Sequence, residues 1–164
     1  MSDFNYDSHD FQGFVQVLEN FPSESANCDK EWLFEDFLAY LVLPDLSKIS
    51  YADTRDVLTR FVAWLLRKGV TTIIELNIPD NHLHPLAETF VVDSFLKMFT
   101  VHKLDWRKLD ISLRFLSENE TVRNNLRQLQ LYSSTNWGVL YHWGSPDGLP
   151  KFPNVCRSDP GSNY

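Results

Sequence analysis

The chain has 164 residues, of which 43% are hydrophobic and 14% aromatic. Such a chain can bury one core and is too apolar to be a disordered polypeptide, so we expect a single domain over residues 1–164. A net charge of −7 argues against a protein that wraps nucleic acid. No stretch approaches the length of a membrane span. We therefore expect neither nucleic acid nor a membrane as a partner.

The negative charge is concentrated at one end. Residues 1–45 contain ten acids and one base, which gives −9, while the remaining 12 acids and 14 bases give +2. Two interpretations remain open: a solvated face that keeps a ring-rich protein soluble, or a surface that docks on a basic partner. Cys28 and Cys156 match no metal or redox spacing, and no signal peptide is visible. We expect a cytoplasmic protein with free thiols.

In chain order, the first predicted elements are helices. Apolar residues at helical spacing predict a short helix over 11–21, a second from Asp29 to Pro44, and a third over about 53–68. Gly69 lies where a left-handed residue commonly ends a helix. Residues 1–69 are therefore predicted to form an acidic helical part.

Three strand-like stretches follow, 70–78, 101–106 and 126–132, each with a helical segment behind it. Each has apolar or β-prone residues at spacing 0, 3 and 5: Thr71, Ile74 and Leu76; Val101, Leu104 and Trp106; and Leu126, Leu129 and Leu131. The offsets of 30 and 25 residues suit one strand plus a return helix, so the strands are predicted to be parallel. Helices are predicted over 86–99 and about 110–118, with a loop or one helical turn over 118–125.

The last part of the chain is weaker in pattern. Leu149, Phe152 and Val155 suggest an incomplete fourth unit that Pro153 interrupts. The predicted fold class is α/β: a helical N-terminal part packed on a small, mostly parallel sheet of three or four βα units. The sheet could be Rossmann-like or an irregular stack like a leucine-rich repeat. This βα-repeat part would cover 70–157, with a flexible tail over 158–164.

Residues 61–149 carry a scattered set of motifs. They are Phe61, Trp64, Leu65, Gly69-Val70, Asp80, His84-Pro85, Leu104-Asp105-Trp106-Arg107-Lys108-Leu109-Asp110, Leu131-Tyr132-Ser133, Asn136, Val139-Leu140, Trp143 and Gly148-Leu149. This region resembles the one that precedes the subtilisin-like serine peptidase domain in multidomain intracellular proteins of filamentous fungi. The resemblance implies an accessory domain that acts in self-recognition or defence, with a subtilisin-like peptidase domain as a candidate partner. It does not imply proteolysis.

The chain departs from that family at two places. The family tends to have Ser-Gly-Asn where this chain has Ser134-Thr135-Asn136, so we expect the backbone there to differ from a glycine-permitted conformation. The family also tends to be acidic directly after the His-Pro pair, whereas here Leu86-Ala87 precede Glu88.

The sequence contains no catalytic or cofactor signature. It has no G-x-S-x-G elbow, no G-x-G-x-x-G and no G-K-[ST]. His82 and His84 lie in a predicted turn and have no third ligand at diagnostic spacing, so no metal site and no cofactor are predicted.

If the strands are parallel, several polar residues lie near their carboxyl ends: Asp80, Asp110, and Ser133 to Asn136. Open α/β sheets usually bind ligands at that edge. The same residue types also cap helices and close turns, and both interpretations stay open. His84 belongs to the same candidate cluster. Asp105, between Leu104 and Trp106, is predicted instead to be structural and to tie the next loop through backbone N–H groups.

The C-terminal part is rich in aromatic rings, namely Trp106, Tyr132, Trp137, Tyr141 and Trp143. They could form a protein-binding surface, with Trp137, Tyr141 and Trp143 as candidate contacts, or fill an uncovered end of the sheet. Our first hypothesis is a non-catalytic recognition or regulatory module. The alternatives are a small ligand-binding protein or enzyme that uses the polar strand ends, and a fragment that forms homo-oligomers through an exposed sheet edge.

Overall fold

The computed structural model describes residues 35–43, 51–80 and 85–155. Its strands are β1 (Phe37–Val42), β2 (Thr72–Ile78), β3 (Thr100–Leu109) and β4 (Gln128–Tyr132). Its α-helices are α1 (Tyr51–Arg67), α2 (Glu88–Val91), α3 (Leu113–Glu118), α4 (Glu120–Asn125) and α5 (Trp137–Gly144). A π-helical segment (Val92–Leu96) continues α2, and a 3₁₀ turn (Leu149–Lys151) follows α5. The predicted helix over 11–21, both cysteines, His84 and the tail lie outside the described residues.

The four strands form one parallel sheet in the order β1-β2-β3-β4. The predicted α/β class with a small parallel sheet is therefore confirmed. The strand order follows the chain order and lacks the reversal that defines a doubly wound sheet. Of the two predicted alternatives, it matches the repeat-like stack. Because parallel crossovers are nearly always right-handed, this order places the connecting helices on one face of the sheet.

The prediction of a helix from Asp29 to Pro44 is wrong where the structure describes it. Residues 37–42 form β1, whose partners in β2 include Glu75 opposite Tyr40 and Leu76 opposite Leu41. A four-residue separation such as that of Phe37 and Leu41 fits a helix, but β2 offers a parallel partner that only the tertiary fold supplies. The fourth strand of the sheet therefore comes from before the predicted repeats and not after them.

The spacing of 0, 3 and 5 is real, but its register in β2 differs from the prediction. Ile73 pairs with Val101, Leu76 with Leu104 and Ile78 with Trp106, so the first offset is 28 residues and not 30. The second offset of 25 residues is confirmed, because Leu104 pairs with Leu129. The same spacing recurs at Leu38 and Leu41 of β1 and at Leu43, which directly follows the strand and donates its N–H to the Asn77 carbonyl. The core layer of the sheet is therefore a fourfold repeat.

Helix α1 packs one apolar side into the core because its buried residues recur every three or four positions. They are Thr54, Val57, Leu58, Phe61, Val62 and Leu65. The helix ends at Gly69, whose φ of 89° is the predicted left-handed conformation. The Val70 N–H donates to the Leu65 carbonyl at 3.2 Å, which closes the last turn and leads directly into β2.

The helical segments after β2 and β3 are shorter than predicted. The segment over 86–99 is one α-helical turn and then the π-helical segment, which together bury Phe90, Val91, Val92, Phe95 and Leu96. After β3, the stretch over 118–125, predicted to be a loop or one helical turn, contains α4. Asn119 caps it, with its side-chain oxygen accepting the Val122 N–H at 3.1 Å.

Candidate functional site

The carboxyl ends of β3 and β4 are joined by Asp110. Its carboxylate accepts the Ser134 N–H at 2.9 Å and the Ser134 hydroxyl, while the Asp110 N–H donates to the Tyr132 carbonyl at 2.8 Å. The hydrogen bond from the Ser134 hydroxyl, followed by the one from its N–H, lowers the pKa of Asp110 below its usual 3.8. Asp110 is therefore a charged tie between two loops.

The next residues of the predicted cluster bond to their own loop. The Ser133 hydroxyl accepts the Thr135 N–H at 3.1 Å, and the Asn136 side chain accepts the Gly138 N–H at 3.0 Å as the N-cap of α5. Thr135 has a φ of 68°, so the backbone keeps the glycine-permitted conformation. The expectation that it would differ is wrong.

Asp80 forms a hydrogen bond in a different loop. Its carboxylate accepts the Leu86 N–H at 3.3 Å, a bond across the connection between β2 and α2. His84 lies outside the described residues. The structure therefore brings Asp110, Ser133 and Asn136 into one loop cluster, and each of these three side chains accepts a hydrogen bond within it.

The aromatic side chains divide into two groups. Trp106 and Trp143 are buried, and the Trp143 indole N–H donates to the Ile111 carbonyl at 2.9 Å. Trp143 is thus an anchor of α5 to the core and not a surface contact. Trp137 and Tyr141 are 81% and 80% exposed. One turn apart, they lie on the same side of α5. Leu140, 37% exposed, lies beside them, and we call these three residues the α5 surface.

Asp105 is structural, as predicted, but it holds strands together and not a loop. The residue is 7% exposed, and its carboxylate accepts hydrogen bonds from the Asn77 amide N–H and the Tyr132 hydroxyl, each at 2.9 Å. Burial, and then the hydrogen bond to Asp105, raise the pKa of Tyr132, while the guanidinium of Arg107 acts in the opposite direction. The result is a polar network across β2, β3 and β4.

This network belongs to a face of the sheet that the sequence reasoning did not identify. In β3 the side chains of Lys103 and Asp105 contact their neighbours on this face, whereas Lys108 points to the helices and donates to the Leu86 carbonyl. The outward positions alternate with the buried ones of the 0, 3, 5 pattern. They are Tyr40, Val42, Glu75, Asn77, Lys103, Asp105, Arg107, Gln128, Gln130 and Tyr132, and we call them the open face. That alternation was the available sequence signal.

Among the described residues, no group of three or more His, Cys, Asp or Glu side chains could hold a metal ion. In the same parts of the chain, no helix combines the length and the apolarity needed to cross a bilayer.

Comparisons with protein-family models, with curated proteins and with solved structures find no match to this chain.

Proposed function

We propose that this chain is a non-catalytic protein-recognition module that binds another protein through the α5 surface. The observation that carries the proposal is the exposure of Trp137 and Tyr141 side by side on one helix. Burying a large apolar ring that is exposed to water is favourable in free energy, so a partner that covers these rings gains affinity. Trp and Tyr are also among the residues that most often dominate the binding energy of protein interfaces.

The α5 surface is also held in place before any partner arrives. Asn136 caps the start of α5, and the buried Trp143 bonds its other end to Ile111. Rings on a fixed helix lose little conformational freedom on binding. The polar strand ends make a weaker site, because Asp110, Ser133 and Asn136 already use hydrogen-bonding capacity within their own loop.

The first partner to test is a subtilisin-like peptidase domain from a filamentous fungus, because residues 61–149 resemble the region that precedes such a domain. The experiment is a light-scattering mass measurement on the full chain, alone over a concentration series and with that domain added. We expect a stable complex with wild type and none with W137A/Y141A. M98A is a suitable control, because Met98 is 50% exposed and lies before β3, at the opposite end of the sheet from α5.

Each result has a definite meaning. A complex that survives W137A/Y141A would exclude the α5 surface as the contact. If the chain is a monomer at every concentration and forms no complex with the peptidase domain, that partner is excluded. A mass that rises with concentration would point to self-association. When a complex forms, the emission of Trp137 should shift to shorter wavelength as its ring leaves water, and W137A should lose that shift.

A further inference from the structure

The core layer of the sheet is covered less completely at β4 than at β1. Leu41 of β1 and Leu43, directly after it, are 9% and 2% exposed. The corresponding Leu129 and Leu131 of β4 pack against the core but are only partly buried. Burying their remaining apolar surface would be favourable in free energy. The edge of β4 is therefore where a further strand would complete the core.

The backbone of β4 also has an unused side. The strand pairs with β3 and, within the described parts of the chain, with no other strand. When a strand has a single neighbour, alternate peptide groups point away from that neighbour and can pair with another chain. Charged residues and proline are common means of preventing such pairing. Residues 128–132, which form β4, contain neither.

The sequence of β4 is complementary to itself. Gln130 is the central residue of the strand, so two copies overlap fully when they run antiparallel about a twofold axis at Gln130. Leu129 then lies opposite Leu131 of the second copy, on the side of the sheet that packs against the helices. On the open face, Gln130 lies opposite its own copy and Gln128 lies opposite Tyr132. Apolar residues therefore meet apolar residues, amides meet an amide or a ring, and no like charges face each other.

We propose that the edge of β4 is a homodimerisation surface, at which a second copy of this chain adds antiparallel to β4 and continues the sheet. The two partly buried leucines of each copy then complete a shared core layer. A twofold interface of this kind is the commonest arrangement in homo-oligomers. The surface is separate from the α5 surface and does not depend on it. Because β4 has only five residues, the dimer is expected to be weak.

The test is a light-scattering mass measurement on the full chain from about 10 to about 500 µM, a range that suits a weak dimer. We expect the mass to rise with concentration from the 19.2 kDa of one chain toward twice that value. W137A/Y141A should show the same rise, which separates pairing at β4 from association through the α5 surface.

Charge at the twofold axis tests the register. Gln130 is exposed, so Q130K and Q130E each place two like charges opposite each other in the dimer. Each variant alone should have an association constant about tenfold lower than that of wild type. An equal mixture of Q130K and Q130E should regain association, because Lys then faces Glu. Only a residue that meets its own copy gives this result.

A63K is the matched control. Ala63 is exposed on α1, so A63K adds the same charge as Q130K on a different element. We expect it to change the association constant by less than about twofold, since an isolated surface charge contributes little. Thermal melts of each variant establish that the fold is intact.

Four outcomes would overturn the proposal. A wild-type mass that stays at 19.2 kDa over the whole range would exclude the dimer. Loss of the mass increase in W137A/Y141A would assign the association to the α5 surface. An effect of A63K as large as that of Q130K would show that association follows net charge. A mixture of Q130K and Q130E that remains monomeric would exclude pairing about Gln130.

Discussion

Asp105-Trp106 followed by Asp110, one of the motifs noted in the sequence, has a structural explanation at each residue. Asp105 joins three strands, Trp106 is 1% exposed in the core, and Asp110 ties two loops while adopting a φ of 55°. Asp tolerates this left-handed conformation better than most side chains. The motif can therefore be explained by folding alone.

Thr135 is a residue whose backbone conformation does not suit its side chain. Replacing it with Gly should raise the free energy of unfolding by about 0.5–1 kcal/mol. A residue with a Cβ pays about 1–2 kcal/mol to adopt the left-handed conformation, and this exceeds the extra conformational entropy that glycine loses on folding. Gly69, with φ of 89°, is the reciprocal case, and G69A should lower stability by about 1–2 kcal/mol. Urea denaturation measures both. A less stable T135G would contradict the left-handed assignment.

Asp110 makes stability depend on acid pH. Its pKa is lowered in the folded protein by the Ser134 hydrogen bonds, so its contribution is present above 3.8 and is lost as the pH falls through the lower folded pKa. D110N keeps the side-chain shape and tolerance of positive φ. Wild type should be more stable than D110N at neutral pH, and the difference in melting temperature should vanish below the folded pKa. A constant difference would exclude a role for the charge.

Within β2, two neighbouring isoleucines show how the strand is divided between core and solvent. Ile73 is fully buried, whereas Ile74 is 40% exposed. I73A should therefore lower the free energy of unfolding by about 3 kcal/mol, because it loses buried apolar surface and leaves a cavity. I74A should lower it by less than about 1 kcal/mol. Urea denaturation measures both values. Similar losses would favour the register predicted from sequence, in which Ile74 belongs to the core triplet.

Helix α5 depends on a close backbone approach at Gly148. A Cβ at this position would overlap the carbonyl oxygens of His142 and Trp143, whereas at Gly144 it would meet nothing within 4 Å. G148A should lower the free energy of unfolding by about 1–3 kcal/mol, as overpacking does, and G144A should be tolerated. Because Trp143 anchors α5, G148A should also weaken any partner of the α5 surface. Equal stability of the two variants would contradict the close contact.

At the scale of the whole molecule, Asp105 couples three of the four strands. D105A leaves the Asn77 and Tyr132 donors without their acceptor, and we expect a loss of about 2–3 kcal/mol. Q130A, on the same face but exposed, should change stability by less than about 0.5 kcal/mol. Unfolding of D105A followed by both fluorescence and circular dichroism should remain a single transition, because the sheet is one layer. A neutral D105A would show that the network contributes nothing net.

The placement of the connecting helices on one face of the sheet also explains where the candidate surfaces lie. Sequential parallel strands place the connecting helices on one side of the sheet, so among the described residues the open face lies on the other side. The α5 surface follows the last strand and projects from its carboxyl end. A doubly wound sheet would have buried both faces and left only its strand ends for binding.

The sequence by itself determined the class of the fold. The spacing of apolar residues identified three strands, the second offset, helix α1 and the left-handed Gly69, because these depend on local periodicity and on glycine's freedom. It also identified the carboxyl-end loop, since Asp, Ser and Asn favour caps and turns wherever they follow a strand. It left open whether those groups bind a ligand.

Only the tertiary structure decided the rest. Residues 37–42 fit helical spacing, and β2 alone makes them a strand, since a strand's hydrogen bonds come from another part of the chain. Likewise, residues 70–78 hold two triplets with the same spacing, and burial against the helices selects the one that begins at Ile73. The division of the rings into buried Trp143 and exposed Trp137 depends on packing between distant segments. A periodicity carries no information about such contacts.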